Sequence, residues 1–590
     1  MTRPASRPRP VLALGLLALA LAPLATCTDA PNEPRRAADS SFTSASAVVA
    51  PPGASVSTPV TVPSGMATSP FNVARALNLP PGFSIAVYAR VSGARFMAVA
   101  PNGDLLVSQP GAGKVVLVRP NGTGAPIISD FITGLRNPHD LVFYSAAGVT
   151  YVYVAESHQI NRYVYTSGAT TPGARQVVVA NLPDASTPEL NGNYGHQLKN
   201  IALDGNGKLY VSIASTCNVC TSDTQSDPVR AAIYQYNADG SGGRLFARGL
   251  RNAEGLAIIP GTNTLWVAVN NRDNVPYPYN DASGNYGRVL TSYVDDHPPE
   301  EFTRVRDGGN YGWPFCNPTP DSPSGYDDMP FDRDYDTNAN GAVDCATMDR
   351  INKGIQAHSA PLGLLFLQNT SFTAAYRDGA AIALHGSWNR SVKTGYKIAF
   401  FPWDAATQLP GAQVDLVTGW ADASSQWGRP VDVAVDAQGA MLISDDYANA
   451  IYKLTANSPP PPPPPTQSVT SFTLINADTE QPIAGYDPIA EGAQLNLASL
   501  PTQNLNIRAN TNPSPVGSVR FAYDANANYR TENSVPYALA GTTSGGTNYN
   551  AWTPTVGSHT LTATPYSTAN AGGTAGTAKT LHFSVKKKGR

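Results

Sequence analysis

One pattern recurs six times within residues 76–457 and limits the possible folds more than any other feature of the sequence. Each copy has a short apolar segment, a turn that often contains glycine, and a second apolar segment, as in RFMAVAPNGDLLVS at 95–108 and KNIALDGNGKLYVS at 199–212. The other copies begin at residues 139, 254, 362 and 431. Apolar runs separated by turn residues predict β-hairpins. Hairpins repeated along one chain predict an all-β fold, here a six-bladed β-propeller.

The composition supports a β-rich protein and excludes one class of partner. Charged residues make up 14% of the 590 residues, whereas about 25% is usual for a soluble domain. The 51 Gly, 51 Pro and 27 Tyr favour strands and turns over helix bundles. The formal net charge of −3 argues against a nucleic-acid-binding protein, because such proteins normally carry a basic excess.

The first 27 residues are typical of an export signal. Arg3, Arg7 and Arg9 precede an apolar stretch, and the sequence LATC at 24–27 resembles a bacterial lipobox in which Cys27 is lipidated. Ordinary signal-peptidase cleavage is the alternative. We therefore expect an exported protein, either a periplasmic or cell-surface lipoprotein or a secreted protein, whose only membrane attachment is the lipid.

Two segments of biased composition divide the rest of the chain. Residues 28–75 are rich in Ala, Ser, Thr and Pro and predict a flexible tether. Residues 458–466 contain seven consecutive prolines and predict a stiff linker. Beyond it, alternating patterns over 467–590 predict a small immunoglobulin-like β-sandwich. This accessory domain is expected either to bind carbohydrate or to act as a spacer.

The cysteine count favours two disulfides. Assigning Cys27 of the five cysteines to a lipid leaves an even number in an oxidising compartment. We expect the pairs Cys217–Cys220 and Cys316–Cys345.

Basic residues recur just before the first apolar segment of the copies. In a propeller the innermost strands surround a channel, so equivalent positions meet at one mouth. Grouped cations repel one another unless an anion lies between them, so the pattern predicts a pocket for a compact polyanion. The residues of this predicted ring are Arg95, Arg136, His139, His196, Lys199, Arg251, His358 and Arg429, with Glu254 at one of the same positions.

Ordered motifs over about 76–455 resemble those of one enzyme family. The chain is similar to the sorbosone and glucose (pyranose) dehydrogenases that use pyrroloquinoline quinone (PQQ) on a six-bladed propeller, and it is most similar to the sorbosone type. PQQ is a tricarboxylate, which agrees with the predicted basic ring. The motifs are NPHDL at 137–141, the segment 196–210, CNVC at 217–220, GLRN at 249–252, DGGNYGWP at 307–314, HSAPLG at 358–363 and HGSWNR at 385–390.

The resemblance implies roles for individual residues. His196 matches the catalytic base, and Arg251 with Asn252 matches a pair that holds and polarises the cofactor. Departures from the family pattern include Lys199 in place of an arginine, Glu254 in place of a glutamine, and Val431 in place of a second carboxylate-binding arginine. The cofactor-binding residues implied in addition to Asn252 are Arg95, His139, Lys199, Glu254, Arg390, Lys393 and Arg429.

The family also implies Ca²⁺ against the quinone, and carboxylates suit that ion. The candidate ligands are Asp273, Asp295, Asp296 and Glu301, although a solvated acidic loop is an equal alternative. Separately, Asp336, Asn338, Asn340 and Asp344 have the spacing of an EF-hand loop that lacks its final glutamate, and they predict a weak structural calcium site.

Together these features predict an exported quinoprotein that oxidises an aldose or a sugar aldehyde by hydride transfer to PQQ. Electrons would pass to an external quinone or cytochrome, because the sequence contains no haem or flavin motif. A catalytically silent propeller that serves as a surface or carbohydrate-binding protein is the main alternative. A calcium-dependent lactonase is disfavoured, because its channel needs carboxylates rather than cations.

Overall fold

The computed structural model describes residues 55–122, 124–422, 424–456, 467–543 and 548–587. The predicted export signal, the tether up to residue 54 and the polyproline linker lie outside these residues. Within them no helix is long and apolar enough to cross a membrane. The helical turns of this part of the chain are Pro110–Ala112, Pro188–Leu190, Thr221–Gln225, Thr291–Val294, Tyr335–Asn338, Cys345–Thr347 and Ala374–Arg377.

The first three copies of the repeat each form a sheet of four antiparallel strands, to which blade 3 adds one short parallel strand. The apolar segments of each copy supply its two innermost strands, as the sequence predicts. The strands of blade 1 are Met97–Val99, Leu105–Gln109, Lys114–Asn121 and Gly124–Ile132; those of blade 2 are Leu141–Ala146, Val149–Ala155, Ile160–Val164 and Arg175–Val179; those of blade 3 are Ile201–Leu203, Lys208–Ile213, Ala232–Asn237 and Arg244–Arg248, extended by Gly309–Asn310.

The last three copies form the remaining blades, and blade 4 carries a long insertion. The strands of blade 4 are Ala253–Ile258, Leu265–Val269, Glu300–Arg304, Ile351–Ile355 and Asp327–Met329; those of blade 5 are Pro361–Phe366, Gly379–Leu384 and Lys397–Asp404, with Leu409–Pro410 and Val414–Val417 beside the last; those of blade 6 are Pro430–Val435, Met441–Asp445, Ala450–Ala456 and Phe83–Arg90. Inside the insertion, Cys316–Pro318 pairs with Phe331–Arg333.

The propeller closes by joining the two ends of its own sequence. Phe83–Arg90 pairs antiparallel with Ala450–Ala456, so that an N-terminal strand completes the last blade. Alternate residues of Phe83–Arg90 are buried, which matches the alternation of its apolar side chains. The innermost strands of the blades contact one another in cyclic order, from blade 1 through blade 6 and back to blade 1. The predicted six-bladed propeller is confirmed.

Residues 55–75 differ from the predicted tether. Val56–Pro59 pairs with Ala76–Leu79, and Val60, Met66 and Phe71 are buried in the core shared by blades 5 and 6. Arg90 donates to the carbonyl oxygens of residues 66, 68 and 69. The prediction of a flexible tether is therefore wrong for residues 55–75, because three apolar side chains of this polar-looking segment reach the core.

The C-terminal strands form two sheets around their own core, which confirms the predicted β-sandwich. Val469, Phe472, Leu474, Phe521 and Phe583 are among the buried residues that the sheets share. The strands of one sheet are Ser468–Asn476, Gln481–Pro482 and Leu505–Asn512; those of the other are Ala493–Asn496, Ser518–Tyr523, Asn526–Glu532, Gly557–Thr568, Gly572–Ala575 and Lys579–Lys586.

Candidate active site

A cavity of about 210 Å³ opens where blades 3, 4 and 5 meet. Its walls come from the loops that enter the innermost strands of these blades and from the turns that follow the second strands. Eight of the eleven lining residues have imidazole, guanidinium, amide or carboxylate side chains that can form hydrogen bonds to a ligand, and two of these eight are histidines. The lining residues are His196, Arg251, Asn252, Asn270, Asn271, Asp273, Glu300, His358, Ala360, Gly386 and Trp388.

His196 is poised to accept a proton in this cavity. Its Nδ1 atom lies 2.9 Å from the carbonyl oxygen of Ser215 and 3.1 Å from the Ser215 hydroxyl. A carbonyl oxygen can only accept, so Nδ1 carries the hydrogen and Nε2 keeps its lone pair. Burial, with the positive charge of Arg251, lowers the pKa of His196 to about 4. His196 is therefore a neutral base at physiological pH.

Arg251 is buried and is held almost entirely by backbone and amide oxygens. It donates through Nε to the Asn218 carbonyl at 3.2 Å, through Nη2 to Asn218 Oδ1 at 3.1 Å, and through Nη1 to the Asn270 carbonyl at 3.3 Å. Its carboxylate neighbour Asp273 lies 3.8 Å away, beyond hydrogen-bond distance. Burial lowers the pKa of Arg251, and its positive charge is only partly balanced by protein groups.

Three side chains link the cavity to the interior of the channel. Asn252 lines the cavity and donates to Glu254 Oε1 at 3.2 Å, while Glu254 Oε2 lies 2.9 Å from His139 Nε2. Glu254 and His139 are both buried. Burial alone would raise the pKa of Glu254, but the hydrogen bonds from His139 and Asn252 outweigh it and hold this pKa at about 2. His139 Nδ1 is buried without a partner in the described structure.

A further acidic residue, Glu300, lines the cavity itself. Glu300 is buried and accepts from the amide nitrogens of Asn271 at 2.6 Å and Ala360 at 3.2 Å. Burial raises its pKa to about 7. His358 also lines the cavity, with its Nε2 donating to the Val294 carbonyl at 2.8 Å and its Nδ1 3.4 Å from Asp273 Oδ1.

Two basic residues of the predicted ring, Arg95 and His139, are paired with carboxylates that the chain itself supplies. Arg95 lies 2.9 Å from Asp446, which also lies 2.9 Å from His385 Nε2. His139 pairs with Glu254, as described above. In a channel of low dielectric constant an unpaired charge is unstable, so these basic residues are paired with acids from other blades.

The other basic residues of the ring lie behind the cavity wall or on the surface. Lys199 is fully buried, donates to the Gln197 carbonyl and lies over the ring of Tyr194. Burial lowers the pKa of Lys199 to about 7. Arg429 donates to the His385 carbonyl at 3.0 Å and the Gly386 carbonyl at 3.3 Å, so it supports the cavity wall from behind. Arg136 is exposed and bonds to Asp184 and Ser186.

The loop 386–394 carries Trp388 to the rim of the cavity, where the indole is 74% exposed. Asp295 accepts from the Ser391 backbone and hydroxyl, and Asp296 lies 3.3 Å from Arg390. Lys393 is exposed and donates to Gln426 at 3.2 Å. Two acids that the sequence assigned to calcium therefore fasten this loop instead.

The remaining predicted calcium ligands are not gathered around one point either. Within the described residues no three His, Cys, Asp or Glu side chains lie where they could share a metal ion. Glu301 is buried and accepts from Asn271 Nδ2 at 3.0 Å. In the EF-hand-like segment each predicted ligand bonds to protein: Asp336 to Arg272, Asn338 to Val343, Asn340 to Ala342 and Asp344 to Ala346.

Of the predicted residues, the cavity brings together His196, Arg251, Asn252, Asp273 and His358. It also includes Asn270, Asn271 and Trp388, to which the sequence analysis gave no role. Asn270 and Asn271 directly follow Leu265–Val269, the second strand of blade 4. Their position at the end of a predicted strand beside the channel is the one sequence signal that could have predicted these two residues as part of the site. Both disulfides form as predicted, between Cys217 and Cys220 and between Cys316 and Cys345.

Comparison with protein families decides what kind of propeller this is. The family model described as TrAA12-like matches residues 77–457, which is the whole propeller. The chain belongs to the TrAA12-like family. Its members are similar to PQQ-dependent pyranose dehydrogenases, so the predicted family of PQQ-dependent sugar oxidoreductases is confirmed.

Solved structures agree with the TrAA12-like fold. The holo PQQ domain of pyranose dehydrogenase from Coprinopsis cinerea is 18% identical, with a TM-score of 0.53 over 64% of this chain and 97% of that one. A Trichoderma reesei protein of carbohydrate-active enzyme family AA12 is 21% identical, with the same TM-score and coverage. At these identities the likeness concerns the fold alone. An uncharacterised protein of Borreliella burgdorferi is 27% identical over 323 residues, which is 53% of this chain and 72% of that protein.

Proposed function

We propose that this TrAA12-like protein oxidises the C1 position of an aldose or a sugar aldehyde, with PQQ as the electron acceptor. The observation that carries the proposal is the neutral His196, whose Nε2 is left as the basic nitrogen in a cavity that also contains Arg251. A proton acceptor beside a fixed positive charge is what the oxidation of an alcohol needs.

The cavity fits an anionic cofactor of this type. Arg251 offers a positive charge that protein carboxylates only partly neutralise, and Asn252 and Asn270 line the same cavity. Arg429 does not line the cavity but donates to the carbonyl of Gly386, which does. Arg251, Asn252 and Asn270 would hold PQQ, with Arg429 contributing its charge. When bound, PQQ supplies a quinone that accepts hydride from carbon.

Residues of the chain supply proton transfer, charge stabilisation and a surface for the sugar. Nε2 of His196 takes the proton of the sugar C1 hydroxyl, and the Ser215 carbonyl stabilises the ring that becomes charged because Nδ1–H already donates to it. Arg251 stabilises negative charge that develops in the cavity during the reaction. Trp388 at the rim offers a flat apolar face against which a pyranose ring can stack and exclude water.

We also propose that acids of the cavity bind calcium. Asp273 and Glu300 both line it, and carboxylate oxygens are ligands that Ca²⁺ prefers. Bound there, the ion would polarise a carbonyl as a Lewis acid. Asp273 is the one predicted ligand for which the position in the cavity supports this role.

Reconstitution tests the proposal directly. The purified protein is titrated with PQQ by calorimetry in 1 mM Ca²⁺, and dye reduction is followed across a panel of aldoses and sugar aldehydes. We expect PQQ binding and dye reduction with at least one sugar. Binding without turnover on any sugar would favour the silent sugar-binding propeller, and no PQQ binding at tens of micromolar would refute the proposed function.

Export and electron transfer complete the proposal. In this proposal the predicted signal at 1–27 directs export of the enzyme, and an external quinone or cytochrome removes the electrons. The sandwich at 467–590 binds carbohydrate or acts as a spacer. If Cys27 carries two acyl chains, Cys27→Ser should release the protein from the membrane fraction or block its processing, because dual acylation gives stable anchoring. A soluble, normally processed wild-type protein would instead show ordinary cleavage.

A further inference from the structure

Asn218 lies inside the four-residue loop closed by the Cys217–Cys220 disulfide and contacts two residues of the cavity at once. Its side-chain oxygen accepts from Arg251 Nη2 at 3.1 Å and from the Asp273 amide at 2.8 Å. Its side-chain nitrogen donates to the Asp273 carbonyl at 2.8 Å. Its own carbonyl accepts from Arg251 Nε and from the Trp313 indole. This one residue therefore connects blade 3 with two residues of blade 4.

The same loop also reaches the proposed base. Ser215 accepts from His196 through its carbonyl and donates its hydroxyl hydrogen to the Cys217 carbonyl at 2.9 Å. Its amide donates to the Arg251 carbonyl at 2.8 Å. Any shift of the loop 215–220 would therefore move His196, Arg251 and Asp273 relative to one another.

We propose that Asn218 is a positioning residue that sets the location of Arg251 and Asp273 in the cavity, and that the Cys217–Cys220 bridge holds Asn218 in place. Asn suits this task because its amide both donates and accepts, and it does both here with the backbone of one residue. The disulfide is needed because the loop lacks strand pairing of its own and its carbonyls bond mainly to side chains. The expected effect of Asn218 on turnover rests on the proposed function, whereas its positioning of Arg251 and Asp273 does not.

The positioning is tested without any cofactor by hydrogen exchange of the full-length apoprotein. The Asp273 amide should be protected in the wild type and in Asn218→Asp, which keeps an oxygen acceptor, and should exchange at least about tenfold faster in Asn218→Ala. Asn161→Ala is the matched control, because Asn161 is also buried and hydrogen-bonded but lies in blade 2. Equal protection in Asn218→Ala and wild type would overturn the proposal.

A double-mutant cycle tests whether Asn218 acts through Arg251. We expect Asn218→Ala to lower kcat by about 10- to 100-fold at saturating PQQ, as a displaced catalytic geometry does. In the Arg251→Lys background the same change should cost less than about threefold, because the guanidinium that Asn218 positions is already absent. Equal losses in both backgrounds would refute action through Arg251. If the wild type oxidises no sugar, the proposed function fails while the exchange result still decides the positioning.

The bridge is tested by removing both of its sulfurs. Cys217→Ser with Cys220→Ser should speed exchange of the Asp273 amide in the same direction as Asn218→Ala. The matched control replaces Cys316 and Cys345, which join two buried segments of the blade 4 insertion, and should leave that amide unchanged. Unchanged exchange in the Cys217/Cys220 variant would show that the bridge does not hold Asn218.

Discussion

The Nδ1 atom of His196 lies 2.9 Å from the carbonyl oxygen of Ser215, and this contact fixes which nitrogen of the ring can act as a base. Since the carbonyl must receive a hydrogen, Nε2 is left as the lone-pair nitrogen of a residue that lines the cavity. Ser215 is in turn bonded to the backbone of Arg251. The base and the charge beside it are therefore held by the same residue.

Replacing this base should affect turnover far more than cofactor binding. We expect His196→Ala to lower kcat by about 10²- to 10⁴-fold, the usual contribution of a positioned general base, while the PQQ dissociation constant from calorimetry stays within about threefold of wild type. His158→Ala is the control, because His158 lies in blade 2 away from the cavity, and it should retain full turnover. Wild-type turnover in His196→Ala would show that His196 is not the base and has only a structural role.

The pH dependence of kcat/KM should have its acidic limb near pH 4. Burial and the Arg251 charge lower the pKa of His196 to about 4, and Glu254 and Asp273 raise it to a smaller extent. His196 is therefore a base above that pH and becomes protonated below it, so the rate should fall as pH decreases through about 4. Arg251→Gln removes the nearby positive charge and should move the limb to higher pH. A limb near 6.5 in the wild type would contradict the assigned environment of His196.

The sequence predicted the fold and the central residues because repeats and local motifs encode them. Six hairpin patterns specify six blades, and the residue that precedes each innermost strand must face the channel. His196 and Arg251 follow from that register, whereas Asn252 was implied by the resemblance to the enzyme family. The partners of the basic residues could not be predicted in this way, because Asp446 and Glu254 reach Arg95 and His139 from other blades.

The acidic residues at 295–301 show a second limit of sequence interpretation. Adjacent acids resemble a metal site, but whether their side chains converge depends on backbone directions that spacing does not give. Asp295 and Asp296 point to the loop 386–394, whereas Glu301 points into the blade. The function of these acids as supports for Trp388 became visible only with the loop in place.

Removing the rim aromatic should weaken sugar binding and leave the chemical step intact. Trp388 is 74% exposed at the mouth of the cavity, and loss of an aromatic stacking surface is expected to raise the sugar KM by about 3- to 30-fold, with kcat within about threefold. Trp388→Phe should recover much of the loss because a flat ring remains. Tyr529→Ala, which removes an exposed ring of the sandwich, serves as the control. A fall in kcat at unchanged KM would contradict a binding role.

Calcium dependence should follow the cavity acids and not the EF-hand-like segment. We expect Asp273→Asn to raise the Ca²⁺ concentration needed for half-maximal activity by at least about tenfold, because a carboxylate ligand is lost. Asp344→Asn should leave that concentration unchanged, because Asp344 caps the helical turn Cys345–Thr347 and its amide replacement can still accept. Activity is titrated with Ca²⁺ after chelation to measure the half-maximal concentration for both variants. The opposite ranking would place the ion in the insertion of blade 4.

Lys199 should make the free energy of unfolding depend on pH between its pKa in the folded protein and its pKa in the unfolded chain. Burial lowers its pKa from 10.5 to about 7 in the folded protein, so between these values the unfolded chain binds a proton that the folded chain does not. The free energy of unfolding should therefore rise with pH across this window, by about 2–3 kcal/mol between pH 7.5 and 9.5. Lys199→Met removes the titrating group and should remove most of this rise, as measured by guanidinium titrations at the two pH values. Lys208→Met, at a half-buried position of the same blade, should keep the wild-type rise. If Lys199→Met and Lys208→Met gain the same stability between the two pH values, the stability effect assigned to the buried Lys199 is wrong.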